Sequence, residues 1–80
     1  MPHVIVKLYK GRSDDVKLQL ANEIVKDVTT ITGCEEKVVS VAFEEYDPVE
    51  WPEKVYKPDI LENQDTLVIK PGYNPFESTD

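Results

Sequence analysis

The chain begins with a short apolar run that predicts a β-strand over residues 3–9. Val4, Ile5 and Val6 are β-branched and Tyr9 is aromatic, and both residue types favour strands. Side chains alternate between the two faces of a strand, so Pro2 shares a face with Val4 and Val6. Because apolar residues fall on both faces, we expect both to be covered.

The pattern then changes to a helical period. Ser13 is a favoured N-cap residue, and Gly33 is suited to the left-handed position that ends many helices. Apolar residues between them recur at steps of four, four, four and three, at Val16, Leu20, Ile24, Val28 and Ile31. The spacing predicts one long helix with an apolar stripe that faces the core.

A second apolar run predicts a strand over residues 37–43, and a third, shorter one predicts a strand over residues 66–70. Between them, a weak helical stretch near residues 53–57 is expected to stop at Pro58. Strand, helix and strand form a β-α-β unit, whose right-handed crossover makes the first two strands parallel. The predicted fold is therefore α+β. Two strands and one helix bury little surface, so we expect a second subunit to complete the sheet.

Length and composition predict one small domain over residues 1–80, with a frayed tail at residues 74–80. The single cysteine, Cys34, excludes an internal disulfide and is interpreted as a passive thiol. The sequence has no Cys/His cluster for a metal, and no signal-like or long apolar segment. These features favour a cytoplasmic protein without a metal, stabilised by association of subunits.

The net charge of −7 argues against binding to nucleic acid or to anionic membranes. It would also repel an anionic substrate unless a cation were placed locally. Arg12, the only arginine, lies just after the first strand and is the candidate for that cation.

Pro2 is the candidate base. If Met1 is removed, Pro2 becomes the N-terminal residue and carries a free secondary amine. An α-amino group titrates at a pH of about 8, and apolar surroundings lower its pKa further because they disfavour the charged form. Modest desolvation would make Pro2 a general base near neutral pH.

The order of these features resembles the 4-oxalocrotonate tautomerase superfamily. The likeness comprises the Met-Pro start, the turn Gly11-Arg12-Ser13-Asp14, the long helix ending at Gly33 and the second strand. Trp51 and the closing segment Leu67-Val68-Ile69-Lys70-Pro71-Gly72-Tyr73 are similar to its small phenylpyruvate-type branch, PptA. The resemblance covers about residues 2 to 73.

The resemblance implies a cofactor-free keto–enol tautomerase that acts on a 2-oxo acid such as phenylpyruvate. It assigns the proton-transferring amine to Pro2, a substrate-binding cation to Arg12 and an aromatic pocket wall to Trp51. Better-known hexameric members have a second arginine where this chain has Ser40. A hydroxyl provides no positive charge, so a substrate with one carboxylate is expected, with Ser40 as a minor binding residue.

Other interpretations stay open at this point. A non-catalytic dimer of the same fold could bind a metabolite or a protein, and a hydratase or dehalogenase is less favoured because there is only one arginine. We expect a homodimer, with a hexamer as the alternative. His3 is interpreted as structural and Tyr73 as a packing residue.

Overall fold

The computed structural model describes residues 1–77 of the 80-residue chain. It divides into two compact units, one formed by residues 1–45 and the other beginning at Tyr46. The first unit contains a strand, a long helix and most of a second strand, whereas the second is made of helical turns and loops.

The first strand and the helix lie where the sequence predicts them. Strand β1 spans His3–Tyr9, and helix α1 spans Asp14–Thr32. The Ser13 side chain accepts a hydrogen bond from the Val16 backbone N–H, and Gly33 ends the helix at a φ of 79°. Among residues 1–77, no helix has both the length and the apolar character needed to cross a bilayer.

The second strand, β2, spans Ser40–Tyr46, three residues later than predicted. Residues Glu36–Val38 instead form a turn of 3₁₀-helix, which includes the first residues of the predicted strand. The strand continues through the acidic residues Glu44 and Glu45, because its alternation supports pairing beyond Phe43.

Strands β1 and β2 form a parallel two-stranded sheet, which confirms the predicted β-α-β unit. Cross-strand contacts fix its register: His3 meets Ser40, and Lys7 meets Glu44, a constant offset along both strands. These four residues therefore lie on one face of the sheet, named here the open face. Helix α1 covers the opposite face, where Lys17 of the helix contacts Glu45 at 2.7 Å.

The first unit buries its apolar residues only partly. On the helix-covered face, Val4, Val6 and Leu8 are half-buried, but Ile5 and Tyr9 on the open face are exposed. The prediction that both faces of β1 are covered is wrong for the single chain, since its one helix can cover only one face. Three residues of the apolar stripe of α1 are also exposed: Val16 at 48%, Leu20 at 38% and Ile31 at 83%.

The second unit contains the two fully buried apolar side chains of the described residues, Val55 at 3% and Tyr56 at 5% exposure. Both belong to a π-helical segment, Pro52–Ile60. Pro58 lies inside this segment and does not stop it, contrary to the prediction. The Leu61 backbone N–H donates to both the Lys57 and the Tyr56 carbonyl, so the widened turn continues past Pro58.

The predicted third strand is absent from the described chain. Residues Leu61–Thr66 form a 3₁₀-helix, and Val68 is 98% exposed in a segment without regular structure. A strand requires a neighbouring strand for its backbone hydrogen bonds, and residues 66–70 have none among residues 1–77. Of the predicted frayed tail, residues 74–77 form a turn, whereas residues 78–80 lie outside the described part.

Candidate active site

Pro2 immediately precedes β1 and is half-buried. Its carbonyl accepts a hydrogen bond from the Ser40 backbone N–H at 3.2 Å, which ties the start of β1 to the start of β2. Met1 precedes it and is 99% exposed, so the bond between Met1 and Pro2 is next to a solvent-accessible residue. The parallel register thus brings together two of the predicted site residues, Pro2 and Ser40.

The Ser40 side chain has a partner that the sequence analysis missed. Its Oγ lies 2.5 Å from Nδ1 of His3, and both side chains are on the open face. The ring nitrogen accepts the hydroxyl proton in one tautomer and donates its own in the other. Only the register of β1 against β2 reveals this pair, because the two residues are 37 positions apart.

Arg12 lies at the other end of β1. Gly11 has a φ of 119°, a conformation that L residues rarely adopt, and the turn it makes leads from the strand into α1. The Arg12 side chain is exposed, and its Nη1 donates to the Tyr9 carbonyl at 3.2 Å. No ion pair with a carboxylate of residues 1–77 engages this guanidinium, so it is free to bind an anion.

Pro2 and Arg12 of one chain cannot contact the same small substrate. The seven residues of β1 separate them, and an extended strand rises roughly 3.3 Å per residue, which places Tyr9 about 23 Å from Pro2. A small 2-oxo acid is much shorter than this. Any site that uses both residues must therefore combine Pro2 of one subunit with Arg12 of another.

Trp51 belongs to an aromatic cluster in the second unit. Its indole Nε1–H donates to the hydroxyl of Tyr73 at 2.9 Å, and its ring meets Tyr46 edge-on at 6.2 Å. Tyr73 is held in turn by Tyr56, whose hydroxyl donates to the Tyr73 carbonyl at 3.0 Å. Tyr73, interpreted from the sequence as packing, thus also orients the tryptophan.

Two lysines with raised pKa values are already engaged by carboxylates. The hydrogen bond that Lys17 donates to Glu45 is the largest cause that raises the pKa of Lys17 above 10.5, and the charge of the Glu45 carboxylate adds to the effect. Glu50 raises the pKa of Lys54 in the same way, across a distance of 3.0 Å. These lysines stay charged at neutral pH, but their carboxylate partners make them poorer candidates than Arg12 for a substrate anion.

Comparisons with known proteins agree with this architecture. The family model described as tautomerase enzyme matches residues 2–52. The "Probable tautomerase" of Xylella fastidiosa is 37% identical over 78 residues, which cover 98% of this chain and 95% of that protein. Tautomerase PptA of Pectobacterium carotovorum is 36% identical over 75 residues, 92% of this chain and 99% of that protein.

Solved structures show the same fold. The 4-oxalocrotonate tautomerase homologue YwhB is 35% identical with a TM-score of 0.56, covering 57% of this chain and 75% of that one. TomN, a homologue from the tomaymycin biosynthetic pathway, is 28% identical with a TM-score of 0.61, covering 62% of this chain and 77% of that one.

The β-α-β fold and the matched N-terminal region define an enzyme of the tautomerase class, which is a class of isomerases. The chain belongs to the 4-oxalocrotonate tautomerase superfamily and is PptA-like, as the sequence motifs predicted. It therefore has a tautomerase-type activity on a small molecule.

Proposed function

We propose that the enzyme interconverts the keto and enol forms of a 2-oxo acid such as phenylpyruvate, with Pro2 as the group that moves the proton. The observation that carries this proposal is the position of Pro2. It follows an exposed Met1, begins the region matched by the family model and is held half-buried against Ser40. The proposal requires that Met1 be removed, because an amide nitrogen is not basic.

The proposed reaction needs one proton and no other reactant. The neutral amine of Pro2 takes the proton of the enol hydroxyl, the carbon–oxygen bond becomes double, and the electron pair of the carbon–carbon double bond moves to the carbon next to the new carbonyl, which in phenylpyruvate carries the phenyl ring. The protonated amine then returns its proton to that carbon. Pro2 acts as base and then as acid, so it must have a pKa near neutrality.

Two influences would lower the pKa of the Pro2 amine. Apolar surroundings disfavour the ammonium form, and Val4 and Val6 share the helix-covered face with the proline ring. A nearby guanidinium also disfavours it, and the distance along β1 means that this Arg12 comes from a neighbouring subunit. The same guanidinium would bind the substrate carboxylate.

We propose a homodimer as the active species. No residue of the β-α-β unit is fully buried in the single chain, and a two-stranded sheet with one helix is marginal alone. A second copy would cover the exposed apolar side chains and extend the sheet at its free edges. A hexamer, formed by further association, is the alternative assembly.

Substrate choice follows from the charges available to the site. Ser40 offers a neutral hydroxyl at the position where hexameric relatives have a second arginine. A charge-assisted hydrogen bond contributes about 1.5–3 kcal/mol of binding free energy, against about 1 kcal/mol for a neutral one. A second carboxylate on the substrate would therefore add little to its affinity for this site. With Trp51 as an aromatic wall, an aromatic monocarboxylate is the preferred substrate.

The reaction can be tested by following the ketonisation of phenylenolpyruvate by ultraviolet absorbance. We expect a rate well above that in buffer, and a loss of about 10²–10⁴-fold for Pro2→Leu, the usual contribution of an acid–base group. A bulky residue at position 2 prevents the removal of Met1, so the nitrogen at position 2 becomes a non-basic amide. Pro75→Ala, at an exposed proline, is the matched control and should keep full activity. A wild-type rate no better than buffer would reject the proposal, as would an active protein whose intact mass includes Met1.

The shared site can be tested by mixing chains. Pro2→Leu, which retains Met1 and so has no basic nitrogen at position 2, and Arg12→Ala should each be nearly inactive, for different reasons. If Pro2 and Arg12 meet across subunits, refolding the two variants together yields mixed dimers with one intact site, and about a quarter of wild-type activity for random pairing. No recovery in verified mixed dimers would contradict a site built from two chains.

A further inference from the structure

We propose that His3 is a positioning residue for Pro2: through its hydrogen bond to Ser40 it anchors the catalytic end of β1. This inference rests on the proposed function for its catalytic consequence, but the anchoring itself can be measured without any substrate. It also gives Ser40 a role other than contact with the substrate.

Ser40 holds the start of β1 by two separate contacts. Its backbone N–H donates to the Pro2 carbonyl at 3.2 Å, and its hydroxyl bonds Nδ1 of His3 at 2.5 Å. The two contacts fall on Pro2, just before β1, and on His3, its first residue, and both involve the same residue of β2. Together they fix both the backbone and the side-chain orientation at the point where β1 begins.

Such an anchor matters because Pro2 would be the first residue of the processed chain. Chain ends fray unless they are tied down, and no residue before Pro2 would then contribute a contact. The bond to the Pro2 carbonyl is the first link between the two strands. Since a misplacement of about 1 Å can cost a catalytic group roughly 100-fold in rate, the amine needs a fixed position.

The geometry favours this role over substrate binding by Ser40. Its hydroxyl is already paired with the His3 ring, and both side chains lie on the open face. By strand alternation the Pro2 ring lies on the opposite, helix-covered side with Val4. Ser40 therefore reaches Pro2 through its backbone, whereas its side chain is engaged by His3.

Two substitutions remove the hydrogen bond between His3 and Ser40, each by changing one of the two side chains. His3→Phe keeps a flat ring without nitrogen, and Ser40→Ala removes the hydroxyl. We expect each to lower kcat by about tenfold with little change in KM, and the double variant to be no worse than either single one. Ser40→Thr, which keeps the hydroxyl, should retain activity.

Amide hydrogen exchange provides a readout that does not depend on activity. The Ser40 N–H should exchange several-fold faster in both variants, because its acceptor on Pro2 is less firmly held. Lys7→Met is the matched control. It removes the ion pair between Lys7 and Glu44, whose charged atoms lie 4.0 Å apart on the open face, and should leave the Ser40 amide and kcat unchanged.

Three results separate the possibilities. A raised KM in Ser40→Ala, with normal kinetics in His3→Phe, would overturn the proposal and make Ser40 a substrate-binding residue. Unchanged exchange at the Ser40 amide in both variants would also overturn it. An inactive wild-type protein whose Ser40 amide still loses protection in both variants would support the anchor while rejecting the proposed reaction.

Discussion

The two units of this chain differ in the regularity of their secondary structure and in how completely they bury apolar side chains. Residues 1–45 have regular elements with ordinary caps and a clear strand register, yet none of their side chains is fully buried. Residues 46–77 have only irregular helical turns, yet they contain the buried pair Val55 and Tyr56 and a cluster of aromatic rings. Regular hydrogen bonding and a buried core are thus separate properties in this protein.

The two units therefore depend on different interactions for their stability. Secondary structure in the first unit comes from local signals, such as the cap at Ser13, but its apolar surface needs a further layer. The second unit draws on contacts between distant aromatic residues, such as the 5.4 Å separation of the Tyr56 and Tyr73 rings. The first unit should therefore respond mainly to changes in assembly, and the second to changes within one chain.

The largest expected effect is that of Tyr56→Ala. Removing a large buried aromatic side chain costs about 3–5 kcal/mol, because the transfer free energy is lost and a cavity is left. Urea unfolding followed by circular dichroism would measure the loss, with exposed Val49→Ala as the control, expected within about 0.5 kcal/mol of wild type. A loss as small as that of the control would contradict a core in the second unit.

Next in size is the effect of Ile31→Asp on assembly. A charge at this exposed end of the α1 stripe should weaken the dimer by roughly 100-fold if a second copy covers it. Light scattering across a dilution series measures this, and Thr30→Asp, at an adjacent exposed position, is the matched control. Equal dimer affinity in both variants would place the subunit contact elsewhere.

Tyr73→Phe should have a smaller effect. It removes the acceptor for the Trp51 N–H and should cost about 1 kcal/mol in stability. The near-ultraviolet circular dichroism of the single tryptophan should change, and KM for phenylenolpyruvate should rise a few-fold if Trp51 lines the pocket. Leu18→Ala, at an exposed position of the first unit, serves as the control. A spectrum unchanged from wild type would show that Tyr73 does not orient Trp51.

The smallest effect is expected from Lys17→Met, and it should depend on pH. The Glu45 hydrogen bond raises the pKa of Lys17 above 10.5, so the pair's stabilising contribution is complete below pH about 10.5 and is lost as the pH rises through the folded-state value. The variant should have a slightly lower Tm than wild type at pH 7, and the difference should shrink above pH 10.5. A difference that grew with pH would contradict this assignment.

Local signals predicted the first unit well. The bounds of β1 and α1 and both helix caps follow from alternation, helical period and the residues Ser13 and Gly33. The start of β2 was misplaced because the sequence does not show that Glu36–Val38 turns before the strand begins. The third strand was wrong because an apolar run at residues 66–70 specifies a strand only where another strand is available to pair with it.

Less of the candidate site could be predicted from the sequence. A motif could suggest Pro2, Arg12 and Trp51, but only the strand register shows that Ser40 and His3 meet beside Pro2. The sequence likewise contains no sign that Tyr73 bonds the Trp51 indole. These contacts join residues 22 and 37 positions apart, and their geometry depends on the folded chain.

The separation of Pro2 and Arg12 along β1 has a consequence for how the enzyme responds to dilution. If each active site uses the Arg12 guanidinium of a neighbouring subunit, the turnover per chain depends on the total protein concentration. Below the dissociation constant of the assembly, specific activity should fall even though every polypeptide still contains all of its functional groups. The total activity in a cell would then change more steeply than the amount of the protein.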